Sequence, residues 1–369
     1  MTGLPSLTIG KHHVPYPIIQ GGMGIRISGA QLAAAVANSG GIGVISAVGL
    51  GFNSPYFDPV NKKGDFFAAN RLALIDELKL ARSLSPNGVI GINSMVAARD
   101  HETLVQTAIA HGANLVIAGA GLPLSLPELT KDYPDVALVP IISSVRAAQV
   151  ICRRWQRSGD RLPDAFIVEN PNSAGGHLGA KKEEIESPEI STEVIIPALV
   201  QYLKEELVVP IPVIAAGGIW DRQDIDRALA LGASGVQLGT RFITTEECDA
   251  DRRYKEFHLH ARSEDVMIVP SPVGLPGRAL RNPFVEWAIA TENQPSNGKE
   301  DLTRLYRRCV ANCLQVCRSR DQQESYCIFQ ALDRAARGDV EHGLIFAGKN
   351  AGRADRILSV AELMAELTR

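Results

Sequence analysis

The sequence lacks every segment that would direct the chain into or across a membrane. No stretch approaches the roughly 20 apolar residues of a membrane span. Residues 1–20 contain two His and several Pro and have no apolar core of signal-peptide length. The formal net charge of −3 is too small to attract nucleic acid or an anionic membrane. We therefore expect a cytoplasmic protein with neither nucleic acid nor a membrane as a partner.

The sequence also lacks the glycine fingerprint of a dinucleotide-binding fold. Gly22 and Gly24 follow the first apolar run, but the glycine spacing then breaks. No acidic residue lies at a suitable distance downstream to bind a ribose. A Rossmann fold is therefore excluded.

What the sequence does contain is a regular alternation of short apolar runs and longer amphipathic stretches. Hydrophobic residues make up 45% and charged residues 21% of the 369 residues, a globular balance. The apolar runs are almost continuously hydrophobic, as expected of strands buried on both faces. These predicted strands are Pro17–Gln20, Ile42–Ile45, Val89–Ile92, Leu115–Ala118, Ala137–Ile141, Ala165–Glu169, Pro212–Ala215 and Gly235–Leu238. The predicted helices between them are Ala30–Asn38, Phe66–Ser83, Asp100–His111, Leu126–Lys131, Ser144–Arg157, Thr192–Glu206 and Arg222–Leu231.

Eight strands with crossovers long enough for parallel pairing predict an α/β fold of the (β/α)8 TIM-barrel class. An open doubly wound sheet is the alternative, because a strand count does not prove closure. We expect the barrel domain to span 1–300, with an inserted loop region at about 243–300. We expect 301–369 to form a cysteine-containing helical extension, with helices at Ile328–Arg337 and Val360–Leu367.

Glycine pairs follow the last two predicted strands. Gly217 and Gly218 end the seventh strand, and Gly239 with Thr240 ends the eighth. Barrels frequently bind phosphate between these two loops, where a missing Cβ lets backbone N–H groups approach an anion. One such pair is most simply a tight turn. Two pairs at these two strands favour a phosphate site.

Six segments match a known family in the family's order along residues 14–285. They are PIIQGGMG (17–24), GINSM (91–95), SAGGHLG (173–179), VIAAGGI (213–219), GVQLGTRF (235–242) and SPVGLPGRALRN (271–282). On these segments the chain resembles the nitronate monooxygenase (2-nitropropane dioxygenase) family, which includes FMN-dependent enoyl-ACP reductases. The resemblance implies a barrel, FMN as cofactor and flavin redox chemistry.

The resemblance also implies roles for individual residues. Gly22 and Met23 would back the isoalloxazine ring, and Asn93 would hydrogen-bond the flavin. The residues expected to grip the phosphate are Gly217, Gly218, Gly239 and Thr240, with Gln237 beside them. Glu169, at the end of the sixth strand, is either a rim carboxylate or part of the flavin pocket.

His177, in the AGGH element, matches the family's active-site histidine. It follows the sixth strand in a Gly-rich segment that we expect to be a flexible loop. An imidazole near its ordinary pKa of ~6.5 can take or give a proton at neutral pH. Without the family match, a surface loop histidine would be the simpler interpretation.

Four of the six cysteines are close together near the C-terminus: Cys309, Cys313, Cys317 and Cys327. In a cytoplasmic protein they do not indicate a disulfide scaffold. Grouped thiolates can hold zinc or a [4Fe–4S] cluster. A spacing of four also places the first three on one face of a helix, where buried thiols pack as small apolar residues. The sequence leaves both interpretations open.

Three functions compete. The leading hypothesis is an FMN-dependent oxidoreductase that oxidises alkyl nitronates with O2. The nearest alternative is an NAD(P)H-dependent reductase of an enoyl thioester or a quinone. The third is a barrel that binds a phosphate ligand without redox chemistry. The expected partner is a small-molecule or acyl-thioester substrate, and the C-terminal helices allow a homo-oligomer. The Gly-rich, basic segment 343–353 is a further candidate for contacting a cofactor phosphate.

Overall fold

The structure is a computed structural model, and it describes residues 3–58, 64–292, 309, 311–322 and 326–369. The strands are β1 (Leu7–Ile9), β2 (His12–Val14), β3 (Ile18–Gln20), β4 (Gly43–Ser46), β5 (Ile90–Met95), β6 (Leu115–Gly119), β7 (Ala137–Ile142), β8 (Phe166–Glu169), β9 (Gly176–His177), β10 (Val213–Ala216), β11 (Gly235–Leu238), β12 (Val266–Val269) and β13 (Gly277–Leu280). The helices are α1 (Ala30–Asn38), α2 (Phe66–Leu84), α3 (His101–Ala110), α4 (Leu126–Leu129), α5 (Val145–Gly159), α6 (Thr192–Tyr202), α7 (Arg222–Ala230), α8 (Thr240–Ile243), α9 (Arg252–Leu259), α10 (Pro283–Ala290), α11 (Arg318–Asp321), α12 (Ile328–Ala336) and α13 (Val360–Thr368).

Eight strands form one parallel sheet, in the order β3-β11-β10-β8-β7-β6-β5-β4. Its two ends meet through backbone hydrogen bonds. Gln20 N donates to Ile42 O at 2.9 Å, and Ile42 N donates to Ile18 O at 2.9 Å. Because these bonds close the ring between β3 and the start of β4, the fold is a TIM barrel. The predicted fold class is confirmed, and the open sheet is excluded.

The eight predicted strands each overlap one barrel strand. The largest difference is at β5, which continues beyond Ile92 to Met95 because Asn93 and Met95 keep pairing with β6. The helix starts also match. Ser144 Oγ accepts from Ala147 N at 3.2 Å at the start of α5, and Asp221 accepts from Asp224 N at 3.1 Å at the start of α7. Helix α6 continues through a π turn at Leu203–Leu207.

Two apolar layers surround the barrel wall. Side chains such as Ile19, Ile117 and Ile167 are fully buried inside the barrel. A larger cluster fills the space between the strands and the outer helices, as in Leu32 and Trp155. The layers make the wall a rigid frame, so residues at the strand ends are held at fixed separations. Within the described ranges, no helix combines the length and the apolar character needed to cross a membrane.

The region predicted as an inserted loop contains regular structure. Strands β12 and β13 pair with β9 in a three-stranded antiparallel sheet. The chain after 326 also returns to the barrel and its insertion, where Leu358 bridges Thr245 and Phe346 bridges Ala279. The predicted domain boundary at residue 300 lies outside the described residues. The C-terminal part nevertheless packs on the barrel along most of its described length.

Candidate active site

A large pocket opens at the carboxyl ends of the barrel strands, where barrel active sites lie. Its volume is about 1480 Å³ including the mouth, which is room for a cofactor and a substrate together. All ten barrel residues predicted from the sequence line this one pocket. They are Gly22, Met23, Asn93, Glu169, His177, Gly217, Gly218, Gln237, Gly239 and Thr240.

The first glycine segment lies flat against strand β5. A Cβ added at Gly22 would lie only 2.3 Å from Cβ of Asn93, so no other residue fits here. The segment is fixed further on, where Met23 N donates to Ser28 Oγ at 2.8 Å. Met23 also lies next to Gly239, whose added Cβ would be 3.5 Å from the Met sulfur. Gly22, Met23 and Gly239 thus form the floor of the pocket between the ends of β3, β5 and β11.

The glycine pair after β10 adopts a backbone that other residues rarely adopt. Gly217 and Gly218 have φ of 88° and 80°, in the left-handed region. An added Cβ would lie 2.9 Å from Asn170 O at Gly217 and 2.7 Å from Ser173 Oγ at Gly218. The pair therefore needs glycine for both conformation and space, which a simple surface turn would not require.

The loops at 217–218 and 239–240 together form what we call the glycine cradle. The C-terminal segment 343–353 lies against both loops. Gly348 N donates to Thr240 Oγ1 at 2.8 Å, and Asn350 Nδ2 donates to Gly218 O at 2.7 Å. Gly348 and Asn350 also line the pocket. The Gly-rich, basic segment 343–353 was predicted to contact a cofactor phosphate, and the structure places it at this cradle.

The positive charges nearest the cradle lie behind it. In the described part of the chain, no Lys or Arg lines the pocket. Arg241 and Arg353 instead stack on Trp220, with the guanidinium carbons 4.9 Å and 5.6 Å from the ring centre. The Trp220 ring itself lines the pocket. An anion in the cradle would therefore be held mainly by backbone N–H groups, with two guanidinium groups in the next layer.

Gln237 lines the pocket, and its buried side-chain acceptor lacks a hydrogen-bond partner among the described residues. Its side chain is only 8% exposed, and Oε1 has no hydrogen bond among the described residues. An unpaired buried acceptor is costly. A ligand with an N–H or O–H donor at this position would satisfy it.

His177 is held in a strand and not in a flexible loop, so that part of the sequence prediction is wrong. It pairs with Gly277 across β9 and β13, and Leu178 N donates to Pro276 O at 2.9 Å. Its Nε2 lies 2.9 Å from Ser271 Oγ, and Phe346 packs on the ring at 5.1 Å between centroids. The two residues of β9 alone gave no signal that they would pair with β13 of the insertion.

The prediction of an ordinary pKa for His177 is also wrong. Burial lowers the pKa of the imidazole to about 4, because the charged form loses its hydration. At neutral pH the ring is therefore uncharged and carries one N–H. It can donate or accept a hydrogen bond, but it supplies no positive charge.

Glu169 lies in the pocket wall at the end of β8 and not on an outer rim. Burial raises the pKa of its carboxyl to about 7. The ionisable side chains lining the pocket in the described ranges are Glu169, His177 and Tyr254. The pocket is therefore close to electroneutral at pH 7, with a carboxyl able to gain or lose a proton there.

A family model described as nitronate monooxygenase matches residues 5–369. The chain belongs to the nitronate monooxygenase family. Members of this family are oxidoreductases and are generally flavin-dependent, so the barrel without redox chemistry is no longer a candidate.

Curated relatives and solved structures agree with this membership. A probable nitronate monooxygenase of Staphylococcus aureus (strain Newman) is 28% identical over 333 residues, covering 81% of this chain and 85% of the relative. FabK from Thermotoga maritima is 27% identical, with a TM-score of 0.69 and coverage of 96% and 92%. A nitroalkane oxidase from Streptomyces ansochromogenes is 20% identical, with a TM-score of 0.66 and coverage of 96% and 95%, and shows the fold alone.

Two residues that the structure places at this site were not predicted individually: Trp220 and Ser271. Ser271 begins the SPVGLPGRALRN motif, so the motif already carried a signal for it. Phe346 and Asn350 belong to the segment 343–353, which was predicted to contact a cofactor phosphate. The packing of Phe346 on His177 was not predicted, because it arises only when distant segments fold together.

The first three of the four C-terminal cysteines do not lie on one helix, which was one of the two arrangements that the sequence left open. Asn312 has φ of 49°, and Leu314 bridges Ala98 in an extended arrangement. All four thiols are free and nevertheless line one small cavity. In the described ranges, no group of three or more His, Cys, Asp or Glu is arranged to hold a metal ion.

Proposed function

We propose that this family member is an FMN-dependent oxidoreductase that oxidises alkyl nitronates with O2. The observation that carries the proposal is the single pocket that joins a glycine cradle, a flat glycine floor and His177. Curated relatives that bear the name probable nitronate monooxygenase cover most of the chain, which supports the same reaction.

The pocket residues fit FMN. Gly217 and Gly218 line the pocket with a left-handed, closely packed backbone that only glycine can adopt, and such a loop can turn its N–H groups toward a phosphate. The orphaned Oε1 of Gln237 matches a cofactor with a donor group, and Gly22 with Met23 offers a flat surface for a ring system. When bound, FMN would supply the two-electron redox chemistry and the reaction with O2. The expected products are a carbonyl compound and nitrite.

The chain's own residues would bind and orient the substrate. The neutral imidazole of His177, positioned by Ser271, can donate a hydrogen bond to a nitronate oxygen. Glu169 can hold a proton near pH 7 and avoid repelling the anion. The Phe346 side chain packs on the His177 ring, and the insertion pairs with β9, so both border this end of the pocket.

A second candidate is an NAD(P)H-dependent reductase of an enoyl thioester. It is supported by the likeness to FabK across 96% of this chain. In that reaction His177 would orient the acyl carbonyl, and NAD(P)H would be the electron donor.

Spectra and steady-state assays test both proposals. Purified protein should show flavin absorption and release FMN, not FAD, on denaturation. Oxygen uptake and nitrite release with ethyl or propyl nitronate should exceed NAD(P)H consumption with an enoyl thioester. If NAD(P)H consumption with an enoyl thioester instead exceeds nitronate turnover, the protein is the reductase of the second candidate. Protein that neither contains nor binds FMN would overturn both.

A further inference from the structure

Four thiols from separate parts of the C-terminal segment meet at one place. Cys309, Cys313, Cys317 and Cys327 line one cavity, whose empty volume is about 270 Å³ when the space open to solvent is included. Cys313, Cys317 and Cys327 are buried, and Cys309 is partly buried. We propose that these four cysteines ligate a [4Fe–4S] cluster.

The convergence is not a by-product of helix periodicity. On a helix, a spacing of four would bring three thiols to one face without any function. Here the described residues 311–317 are not helical, and Asn312 turns the chain in the left-handed region. The thiols meet because the backbone is folded around them. The chain's other two cysteines, Cys152 and Cys248, are examples of thiols that pack as small apolar residues. Each is buried among apolar side chains of the barrel layer.

The arrangement favours a cluster over a single ion. Sulfur-only ligand sets select zinc or iron–sulfur clusters. Around zinc each thiolate lies about 2.3 Å from the same ion, and no described group of three candidate ligands is arranged to hold such an ion. In a [4Fe–4S] cluster each cysteine binds a different iron, so the thiolates stand farther apart around a larger space.

The proposed cluster site adjoins the active-site pocket. Ile328 directly follows Cys327 and lines both cavities. The next residue, Phe329, and Leu332 on the same helix also line the larger pocket. Ile328 therefore belongs to the wall between the two cavities.

The cysteine segment also holds the loop that positions His177. Arg318 N donates to Pro272 O at 2.9 Å, and Tyr326 Oη donates to Pro270 O at 3.0 Å. Ser271, between these two prolines, is the hydrogen-bond partner of His177. Cys317 is next to Arg318 in the chain, and Cys327 is next to Tyr326. A cluster bound by these two cysteines would therefore hold the loop in place. The importance of the loop for catalysis rests on the proposed function, whereas cluster binding does not.

The first experiment measures metal content in protein purified without oxygen. We expect about four iron and about four acid-labile sulfide per chain, with a broad absorption band and an EPR signal after dithionite reduction. The double variant Cys313→Ser/Cys317→Ser should lose both, and Cys152→Ser should keep both. Absence of iron and sulfide, stoichiometric zinc, or an unchanged cluster in the double variant would overturn the proposal.

A second measurement needs no variant and so does not depend on variant folding. Wild-type protein is alkylated without oxygen, before and after chelation of iron, and its peptides are analysed by mass spectrometry. The four clustered cysteines should become reactive only after chelation, while Cys152 and Cys248 stay unchanged. Equal reactivity of the four before and after chelation contradicts cluster binding, whatever the flavin activity.

Hydrogen exchange tests the link to the loop. Peptides containing Ser271 and His177 should exchange faster after chelation, while peptides from β6 should not change. Unchanged exchange at Ser271 would refute the coupling between the cluster site and His177.

Discussion

At the scale of single residues, the hydrogen bond between His177 and Ser271 is the contact on which the proposed chemistry depends most. Ser271→Ala should lower kcat/KM about two- to tenfold, since one hydrogen bond contributes roughly 0.5–1.5 kcal/mol. His177→Ala should cost more, about 100-fold or greater. Ser271→Thr keeps a hydroxyl and should recover most of the activity. Steady-state kinetics at fixed FMN saturation measure all three, and an Ala variant as active as wild type would remove Ser271 from the mechanism.

Glu169 should produce a pH dependence centred near pH 7. Its carboxyl has a raised pKa of about 7, so it is neutral below that pH and anionic above it. Because a carboxylate repels a nitronate anion, KM for nitronate should rise as the pH increases through 7. Glu169→Gln stays neutral and should abolish this rise.

The measurement for Glu169 is the KM for nitronate, with kcat determined separately, between about pH 6 and about pH 9. Glu189, an exposed acid beyond the pocket, is the matched control. Glu189→Gln should keep the wild-type profile. The same inflection in Glu169→Gln and wild type would assign the titration to another group.

At the scale of elements, the turn after β10 should tolerate no side chain. Gly218→Ala combines a left-handed φ with a Cβ 2.7 Å from Ser173 Oγ. The backbone cost of roughly 1–2 kcal/mol lowers stability, and the clash also displaces Ser173, which lines the pocket. Because this changes the shape of the cradle, FMN should bind at least about tenfold more weakly, a loss of about 1.4 kcal/mol. Gly112→Ala is the control, because Gly112 has φ of 89° but no atom near its added Cβ. It should lose stability and keep FMN affinity, measured by fluorescence titration. Equal FMN affinity in both variants would contradict the cradle.

Helix α1 depends on a cap that comes from far along the chain. Asp249 accepts from Gly29 N at 2.7 Å and from Gln31 N and Leu32 N at 3.2 Å. Asp249→Ala should therefore cost about 1–2 kcal/mol in the free energy of unfolding. Asp249→Asn keeps an acceptor oxygen and should retain most of that stability. Urea unfolding measures the difference, and equal midpoints for the two variants would rule out the capping role.

Elements with a strong local signal could be predicted, and elements defined by distant pairing could not. The eight barrel strands are continuous apolar runs, so each was found. Strand β9 has only two residues, Gly176 and His177, and exists because β13 pairs with it. The cysteine spacing was compatible with a helix, but Asn312 in the left-handed region and the bridge from Leu314 to Ala98 are not helical. The glycines of the site were recognisable because their requirement is local, whereas Ser271 and Phe346 reach His177 only through tertiary structure.

At the scale of the whole molecule, helix α13 makes the C-terminal part inseparable from the barrel. Val360, Leu363, Met364 and Leu367 are buried in the same apolar cluster as Val36 of α1. Fully burying such a side chain contributes about 1.5–3 kcal/mol. Together the four match the stability of a typical domain, about 5–15 kcal/mol. Loss of this helix should therefore unfold the barrel and not merely release an appendage.

Leu363→Ala tests this coupling with one substitution. It should lower the free energy of unfolding by about 2–5 kcal/mol, while Val194→Ala, at a half-exposed position on α6, should cost less than about 1 kcal/mol. Because Gly348 and Asn350 join the same C-terminal part to the cradle, FMN should be released at the same urea concentration at which the barrel unfolds. Circular dichroism and flavin fluorescence should give one shared transition, shifted to lower urea in Leu363→Ala. Two separated transitions, with the barrel midpoint unchanged by Leu363→Ala, would show instead that the C-terminal part folds independently and that the site keeps its cofactor without it.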